Sequence, residues 1–295
     1  MVLIVGFGLI YLPRLQTGFI YSVADGRSWG DAFYFSGVTL LTIGYGDITP
    51  HTRALRVAAA LEGVAGIAVL SLATAYLLTV YAAVERKRAA ALAFYHQAGR
   101  GADVASFIAH HFRRGQFIGL EDIVRSGARD LQVLMEAHIE HPVIHYFHSE
   151  MLAKSLPRMV FILIETATIV ETCLDPVAHA EVCDHPDMVT LRESALAVID
   201  ELAVVLQLEA KMDAPVASGG SDQVRHGRCF RRSMRRLAAA GITLRANAAA
   251  FADYGAARER WERKLACVSV FLGYDWDEIS GDQDLDDAVD EEDNA

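Results

Sequence analysis

Ser28-Trp29-Gly30-Asp31-Ala32-Phe33-Tyr34-Phe35-Ser36-Gly37-Val38-Thr39-Leu40-Leu41-Thr42-Ile43-Gly44-Tyr45-Gly46-Asp47 carries two incompatible local instructions. The first half suits a short amphipathic helix, opened by Ser28 as a cap with Asp31 in its first turn, where a carboxylate meets the unpaired N–H groups of a helix start. The second half cannot continue that helix. Gly44 and Gly46 flank Tyr45 and allow backbone conformations that residues with a Cβ resist, so successive carbonyls can turn toward one line. Four such strands around an axis would stack rings of carbonyl oxygens, with the Thr42 hydroxyls as the innermost ring, that replace the water around a dehydrated cation. Tyr45 would point away from that axis and hold the ring diameter. Asp47, at the outer mouth, is expected to accept a hydrogen bond from Trp29 or Tyr34 and to concentrate cations.

The flanks fit a membrane setting. Val57 to Val84 is a run of 28 residues with one charge, Glu62. As a helix it would reach about 42 Å, more than the ~30 Å of a hydrocarbon core. It stops at Glu85-Arg86-Lys87-Arg88, a basic cluster of the kind that marks cytoplasmic ends, so the chain after residue 88 is expected in the cytoplasm of a protein of the cell (inner) membrane, crossing it more than once. Met1 to Leu12 is apolar but too short to span before Pro13 and Arg14, and it lacks the cationic start and cleavage site of a signal peptide. It reads as the outer half of a first transmembrane helix whose beginning is missing, with a genuinely short or interfacial helix as the alternative. Irregular backbone between two such segments is tolerated at membrane depth only where it is buried in protein or lines a water-filled path.

Residues 20 to 84 resemble the potassium-channel pore family, in its prokaryotic form with two transmembrane helices per subunit. The matching features are Thr42-Ile43-Gly44-Tyr45-Gly46-Asp47, the aromatic run Phe33-Tyr34-Phe35-Ser36, and Gly66, twenty positions after Gly46. The resemblance implies a homotetramer in a lipid bilayer, with K+ as the permeant ion held by Thr42, Ile43, Gly44, Tyr45 and Gly46, and with Asp47, Trp29 and Tyr34 as filter support. It implies passive permeation and no covalent catalysis. Ile43 replaces the commoner Val, and Val38 stands where some members carry a carboxylate that braces the filter through Asp47. Gly66 resembles a gating hinge. With Gly63, Ala65 and Ala68 it equally suits close packing between helices. Glu62, ionisable inside a membrane segment, is a functional candidate that could brace the pore helix or sit near the outer mouth. The alternative is a non-conducting, membrane-anchored sensor or interaction protein with a vestigial pore.

Composition places limits on the rest. With 53% hydrophobic and 22% charged residues and a mean hydropathy of +0.22, the chain is too apolar for an ordinary soluble domain and too charged to be embedded throughout. The formal net charge of -11 argues against a nucleic-acid partner, since phosphate contacts need a cationic surface. All of that charge lies in Asp275 to Ala295, which holds eleven acids and no Lys or Arg. Three domains follow: a pore module over 1–88, a helical regulatory domain over 89–274, and a disordered acidic tail over 275–295. Cys173, Cys183, Cys229 and Cys267 form no CxxC pair and indicate a reducing compartment, and Cys173, His179, Cys183 and His185 fit no standard zinc spacing.

Beyond residue 88, helix-like periodicity runs over Phe94–Phe112, Glu121–Ile139, Pro142–Ala153, Pro157–Val170, Val189–Met212, Gln223–Ala250 and Phe251–Phe271, which makes the whole chain all-α. Met159 to Val170 is too short for a span and contains Glu165, so it reads as a buried core helix. No strand followed by GxGxxG appears, and no organic cofactor is expected. His138, His141, His145 and His148 recur at intervals of three and four and could titrate near neutral pH or bind a metal, although Pro142 favours starting a new element between them. Arg225, Arg228, Arg232 and Arg235, with Arg231 and Arg236, form a solvated face or a dock for the acidic tail or anionic lipid. The ligand of this domain is not legible in the sequence.

Overall fold

A computed structural model describes residues 1–22, 28–98, 103–208 and 219–281. Among the described residues the chain is all-α with two short antiparallel strand pairs, and it divides into two compact units, Met1–Tyr81 and Ala82–Ala295.

In the first unit, α1 (Val2–Tyr11) runs into a 3-10 turn, Leu12–Arg14, where Pro13 can take no further part in an α-helical ladder. Strand β1 (Phe19–Tyr21) pairs antiparallel with β2 (Ile48–Pro50), Phe19 opposite Pro50. Between them lies α2 (Trp29–Leu40), whose start is closed by the Asp31 carboxylate accepting the Ser28 N–H at 2.8 Å. The long helix α3 (Arg53–Gln97) follows and continues into the second unit. Among the described residues α3 is the one helix long and apolar enough to cross a membrane; Val2–Arg14 is apolar but shorter. A small core of Tyr11, Leu15, Phe19, Ala32, Phe35, Ile48 and Leu55 joins all these elements. Its centre is an edge-to-face trio, with ring centroids 5.0 Å (Phe19–Phe35), 5.1 Å (Tyr11–Phe35) and 5.7 Å (Tyr11–Phe19) apart.

The second unit is organised around α6 (Leu156–Cys173), in which every residue except Glu171 is buried. A helix covered all round is a core helix. Its Thr166, Thr168 and Thr172 satisfy their hydroxyls on the carbonyls four residues back, at 2.6, 2.8 and 2.6 Å. Around it stand α4 (Val104–His110), α5 (Leu120–Glu140), the single turn α7 (Ala180–Cys183), α8 (Pro186–Val205), α9 (Gly219–Ala239), α10 (Asn247–Glu259), α11 (Glu262–Phe271) and α12 (Trp276–Ser280).

Several expected helices are cut, each for a local reason. Asp103 caps a new helix by accepting from the N–H groups of Ala105 and Ser106, so Phe94–Phe112 is not continuous, and Phe112–Arg113 turns back through Arg114 and Gly115, both at positive φ, to pair with Gln116–Phe117. Gln223–Ala250 breaks at Gly241 (φ +83°), where Ile242 N–H returns to Leu237 O at 3.1 Å as a C-terminal cap. Phe251–Phe271 breaks at Trp261, whose buried indole donates to Thr168 Oγ1 at 3.3 Å. Pro142–Ala153 forms two 3-10 turns, Pro142–Tyr146 and Leu152–Lys154, instead of a helix. The acidic tail begins later than its composition implies: Trp276 and Ile279 are buried, and the Ile279 carbonyl accepts from Arg158. The remaining tail, 282–295, lies outside the described residues, so a truncation aimed at tail charge has to start after Gly281.

Candidate functional site

The end of α2 builds the irregular, strand-like segment 42–46 that follows it. Leu41 N–H still bonds to Gly37 O at 3.0 Å, and Thr42 N–H bonds to Thr39 O at 3.0 Å. The Val38 carbonyl then receives both Ile43 N–H, at 2.9 Å, and Gly44 N–H, at 3.4 Å, which folds the chain back along the helix end. Thr42 (φ +58°), Gly44 (φ +59°) and Gly46 (φ +76°) are left-handed, while Ile43 and Tyr45 are not. In a regular strand successive carbonyls point to opposite sides. Alternating the hand of the backbone cancels that alternation, so the carbonyls can share one side. The two glycines take this conformation at no steric cost, whereas Thr42 holds it at about 1–3 kcal/mol, a strain of the kind found at functional positions.

Past the strand, Asp47 is fixed twice. Its carboxylate accepts from the Tyr34 hydroxyl at 2.8 Å, and its carbonyl accepts from Ser22 N–H at 2.9 Å, extending the β1–β2 pairing. Of the two donors expected for Asp47, Tyr34 is the one used. Trp29 is 73% exposed and, among the described residues, makes no hydrogen bond to Asp47. Tyr45 is 69% exposed, and none of the described residues encloses it.

Behind the strand, Glu62 of α3 is completely buried, with Oε2 accepting from the Tyr11 hydroxyl at 2.7 Å and Oε1 accepting from the Ser36 hydroxyl. Ser36 Oγ also lies 3.0 Å from Ile4 O. One carboxylate therefore ties α3 to both α1 and α2. Sequence reading singled out Glu62 and missed its two partners; the usable signal is that an acid in an apolar run needs donors, and Ser36 and Tyr11 are hydroxyls in otherwise apolar neighbourhoods. Glu62→Leu strands the Tyr11 hydroxyl in the core at a cost of about 1–3 kcal/mol, while Glu62→Gln keeps both contacts. Thermal unfolding in detergent should rank wild type and Glu62→Gln above Glu62→Leu; three equal midpoints would mean that the carboxylate braces nothing.

Gly66 and Gly63 differ sharply. A Cβ on Gly66 would sit 1.8 Å from the Leu40 carbonyl oxygen, at the end of α2, whereas one on Gly63 meets nothing within 4 Å.

With this geometry in place, the chain can be compared with known proteins. Residues 2–83 match the family described as ion channel. The chain is also 28% identical over 165 residues to a Bacillus subtilis (strain 168) protein described as uncharacterized membrane protein YdjJ, an alignment covering 56% of this chain and 47% of that one. The chain thus spans about half the length of the curated relative it matches. No solved structure matches it.

In the second unit the four histidines do not form one row. His138 is buried on α5 and donates from Nδ1 to Leu134 O at 2.6 Å. His141 caps the end of that helix, His145 lies in the 3-10 turn opened by Pro142, and His148 is exposed with its ring edge-on to Tyr274, 6.1 Å between centroids. His179 is committed to accepting Thr243 N–H at 3.1 Å through Nε2 and to ring contacts with Phe112 and Phe117. Among the described residues no group of three or more His, Cys, Asp or Glu is arranged to hold a metal. On α9, Arg236 is bonded to Ser106 and paired with Asp103.

Lys87 and Arg258 are buried charges that the sequence pattern does not reveal. Lys87, 6% exposed, donates from Nζ to Phe147 O at 2.8 Å and to Ile144 O at 3.1 Å, taking carbonyls that a helix over 142–153 would have used. Burial, and then the charge of Arg88, push the Lys87 ammonium down to about 8 from 10.5. Below pH 8 folded and unfolded chains both carry the proton. Between about 8 and 10.5 the unfolded chain keeps a proton that the folded chain has lost, so stability rises with pH by up to ~1.4 kcal/mol per unit. Chemical unfolding across that range should give the slope in wild type and not in Lys87→Met; the same slope in both assigns it to another group.

The second buried charge is Arg258, 1% exposed, whose Nη2 is 3.1 Å from Glu262 Oε1 and whose Nε is 3.7 Å from Glu165 Oε2. Its Nη1 donates to the Tyr254 hydroxyl at 2.9 Å, which in turn donates to Glu165 Oε1 at 2.5 Å. His226 closes the network on Glu262. Burial alone would lower the Arg258 pKa, but Glu165, Tyr254 and Glu262 outweigh it and hold the guanidinium charged well above its ordinary range.

Proposed function

We propose that the chain is a subunit of a potassium-selective channel that conducts passively as a homotetramer in the cell membrane, with Thr42–Gly46 as its filter and the second unit as a cytoplasmic regulator. What carries the reading is the alternation of left-handed backbone at Thr42, Gly44 and Gly46, because it turns carbonyls to one side where a cation could be dehydrated against them. The ion-channel family match over the same region supports it, as does α3, whose length and apolarity suit a bilayer. Exposure of Tyr45 and Ile43 is accounted for if three further copies enclose them. Asp47, held by Tyr34, supplies negative potential at the entrance.

Thallium or rubidium uptake into liposomes containing the purified protein should exceed sodium uptake and be lost in Gly46→Ala, whose Cβ is strained at φ +76° and favours turning the next carbonyl away. Uptake indistinguishable from empty liposomes would favour a membrane-anchored sensor, and equal uptake of sodium would remove selectivity from the proposal.

A further inference from the structure

The segment between α5 and α6 leaves an unusual surface. Its 3-10 turn buries Ile144 completely and leaves Val143, Tyr146 and Phe147 outward, with Tyr146 75% exposed and Met151, a few residues on, 55% exposed. Soluble surfaces rarely gather aromatic and aliphatic side chains so closely without a partner.

The position of this patch identifies its partner. Lys87 holds the Ile144 and Phe147 carbonyls by direct hydrogen bonds, and Lys87 lies three residues after Val84, the last residue of the apolar run, which is about 4.5 Å along the helix. Ala83 and Val84 are themselves 6% and 5% exposed, so the second unit is packed up to the end of that run. Arg86 and Lys154 supply cationic groups on the same stretch and its neighbour, Arg88 being paired with Glu85 at 3.3 Å, and Tyr81 of α3 is an exposed aromatic one turn before Val84. Amphipathic rings flanked by Lys and Arg are what settles at the boundary between headgroups and acyl chains.

We propose that Val143, Tyr146, Phe147 and Met151 form a membrane-contacting foot of the second unit, inserted into the cytoplasmic face of the bilayer beside the exit of α3, with Arg86 and Lys154 meeting anionic headgroups. This rests on α3 being the membrane span. It gives the Lys87 contacts a role, since they fix the depth of the foot against the helix. Insertion extends about 5–10 Å below the headgroups, enough for side chains but not for the backbone of the turn.

The test uses the full chain in liposomes, in a Trp29→Phe background, so that the remaining native tryptophans, Trp261 and Trp276, are the buried ones of the second unit. Tyr146→Trp should add emission that lipids brominated near the glycerol end quench about twofold, while iodide in the aqueous phase leaves it nearly unchanged. Val177→Trp, at a position 90% exposed on the same unit, is the aqueous reference and should respond to iodide alone. Leu70→Trp, inside the apolar run, reads the span itself through deeply brominated lipid. If Leu70→Trp is quenched by lipid and Tyr146→Trp by iodide, the foot is overturned and the span stands. If Tyr146→Trp is shielded from both quenchers, a second copy of the chain covers the patch, and the lipid proposal fails equally. If Leu70→Trp is not quenched, the span reading falls and the foot with it.

Discussion

Gly66→Ala is expected to abolish cation flux while the protein still inserts and assembles. The added Cβ would lie 1.8 Å from the Leu40 carbonyl oxygen, 2.8 Å from its carbon and 3.2 Å from its Cα, all backbone atoms. A flexible side chain could swing aside; a backbone at the end of a helix cannot, so α2 has to move away from α3 by more than about 1 Å to reach ordinary contact distances. Leu40 is the last residue of α2, and the next peptides are those that hold Thr42 in its strained conformation and direct Ile43 and Gly44 onto Val38 O. A displacement there reaches the carbonyls that are proposed to bind the ion. Gly63→Ala is the internal control, because its Cβ meets nothing within 4 Å in the same chain. Flux into liposomes, with assembly followed by size-exclusion chromatography, should separate the two variants; equal flux from both would mean that the contact with Leu40 is not what requires glycine at 66.

Glu165→Leu should destabilise the second unit by about 3–5 kcal/mol, the usual cost of stranding one member of a buried ion pair. Glu165 is 4% exposed on the central helix, and its loss removes both the acceptor for Tyr254 and one of the two acids that neutralise Arg258. Trp261 reports the event, since the Arg258 guanidinium lies 5.3 Å from its ring centroid. Denaturant unfolding of the full chain in detergent, read by tryptophan emission, should show the loss for Glu165→Leu and a partial recovery when Arg258→Met is added, because an apolar pair avoids desolvating the charges. If the double variant were no more stable than Glu165→Leu alone, the unpaired guanidinium would not be what the single substitution costs.

The remaining expectations divide by range. The end of the helix before Thr42 was legible because it is written in adjacent residues: glycines either side of Tyr45 release backbone angles that other residues resist, and no distant partner is needed. The long apolar run of α3 was equally local, since length and composition suffice to say that it could cross a bilayer. Boundaries inside the second unit were less so. Periodicity ran straight through Gly241 and Trp261, because the first is a cap whose left-handed angle is invisible in an apolar pattern and the second breaks its helix to bury an indole against Thr168.

What the sequence determined by itself, then, was the backbone of the candidate filter, the helical class, and the concentration of negative charge after residue 275. What only the tertiary structure decided was how these parts are held: Glu62 reaching Tyr11 across 51 positions and Ser36 across 26, Gly66 against Leu40, and Lys87 under the 142–147 turn. The physical reason is that a backbone conformation is chosen by a residue and its neighbours, whereas a buried polar group is satisfied by whichever donor the packing of apolar faces brings to it, and nothing in the spacing of those residues along the chain records that meeting.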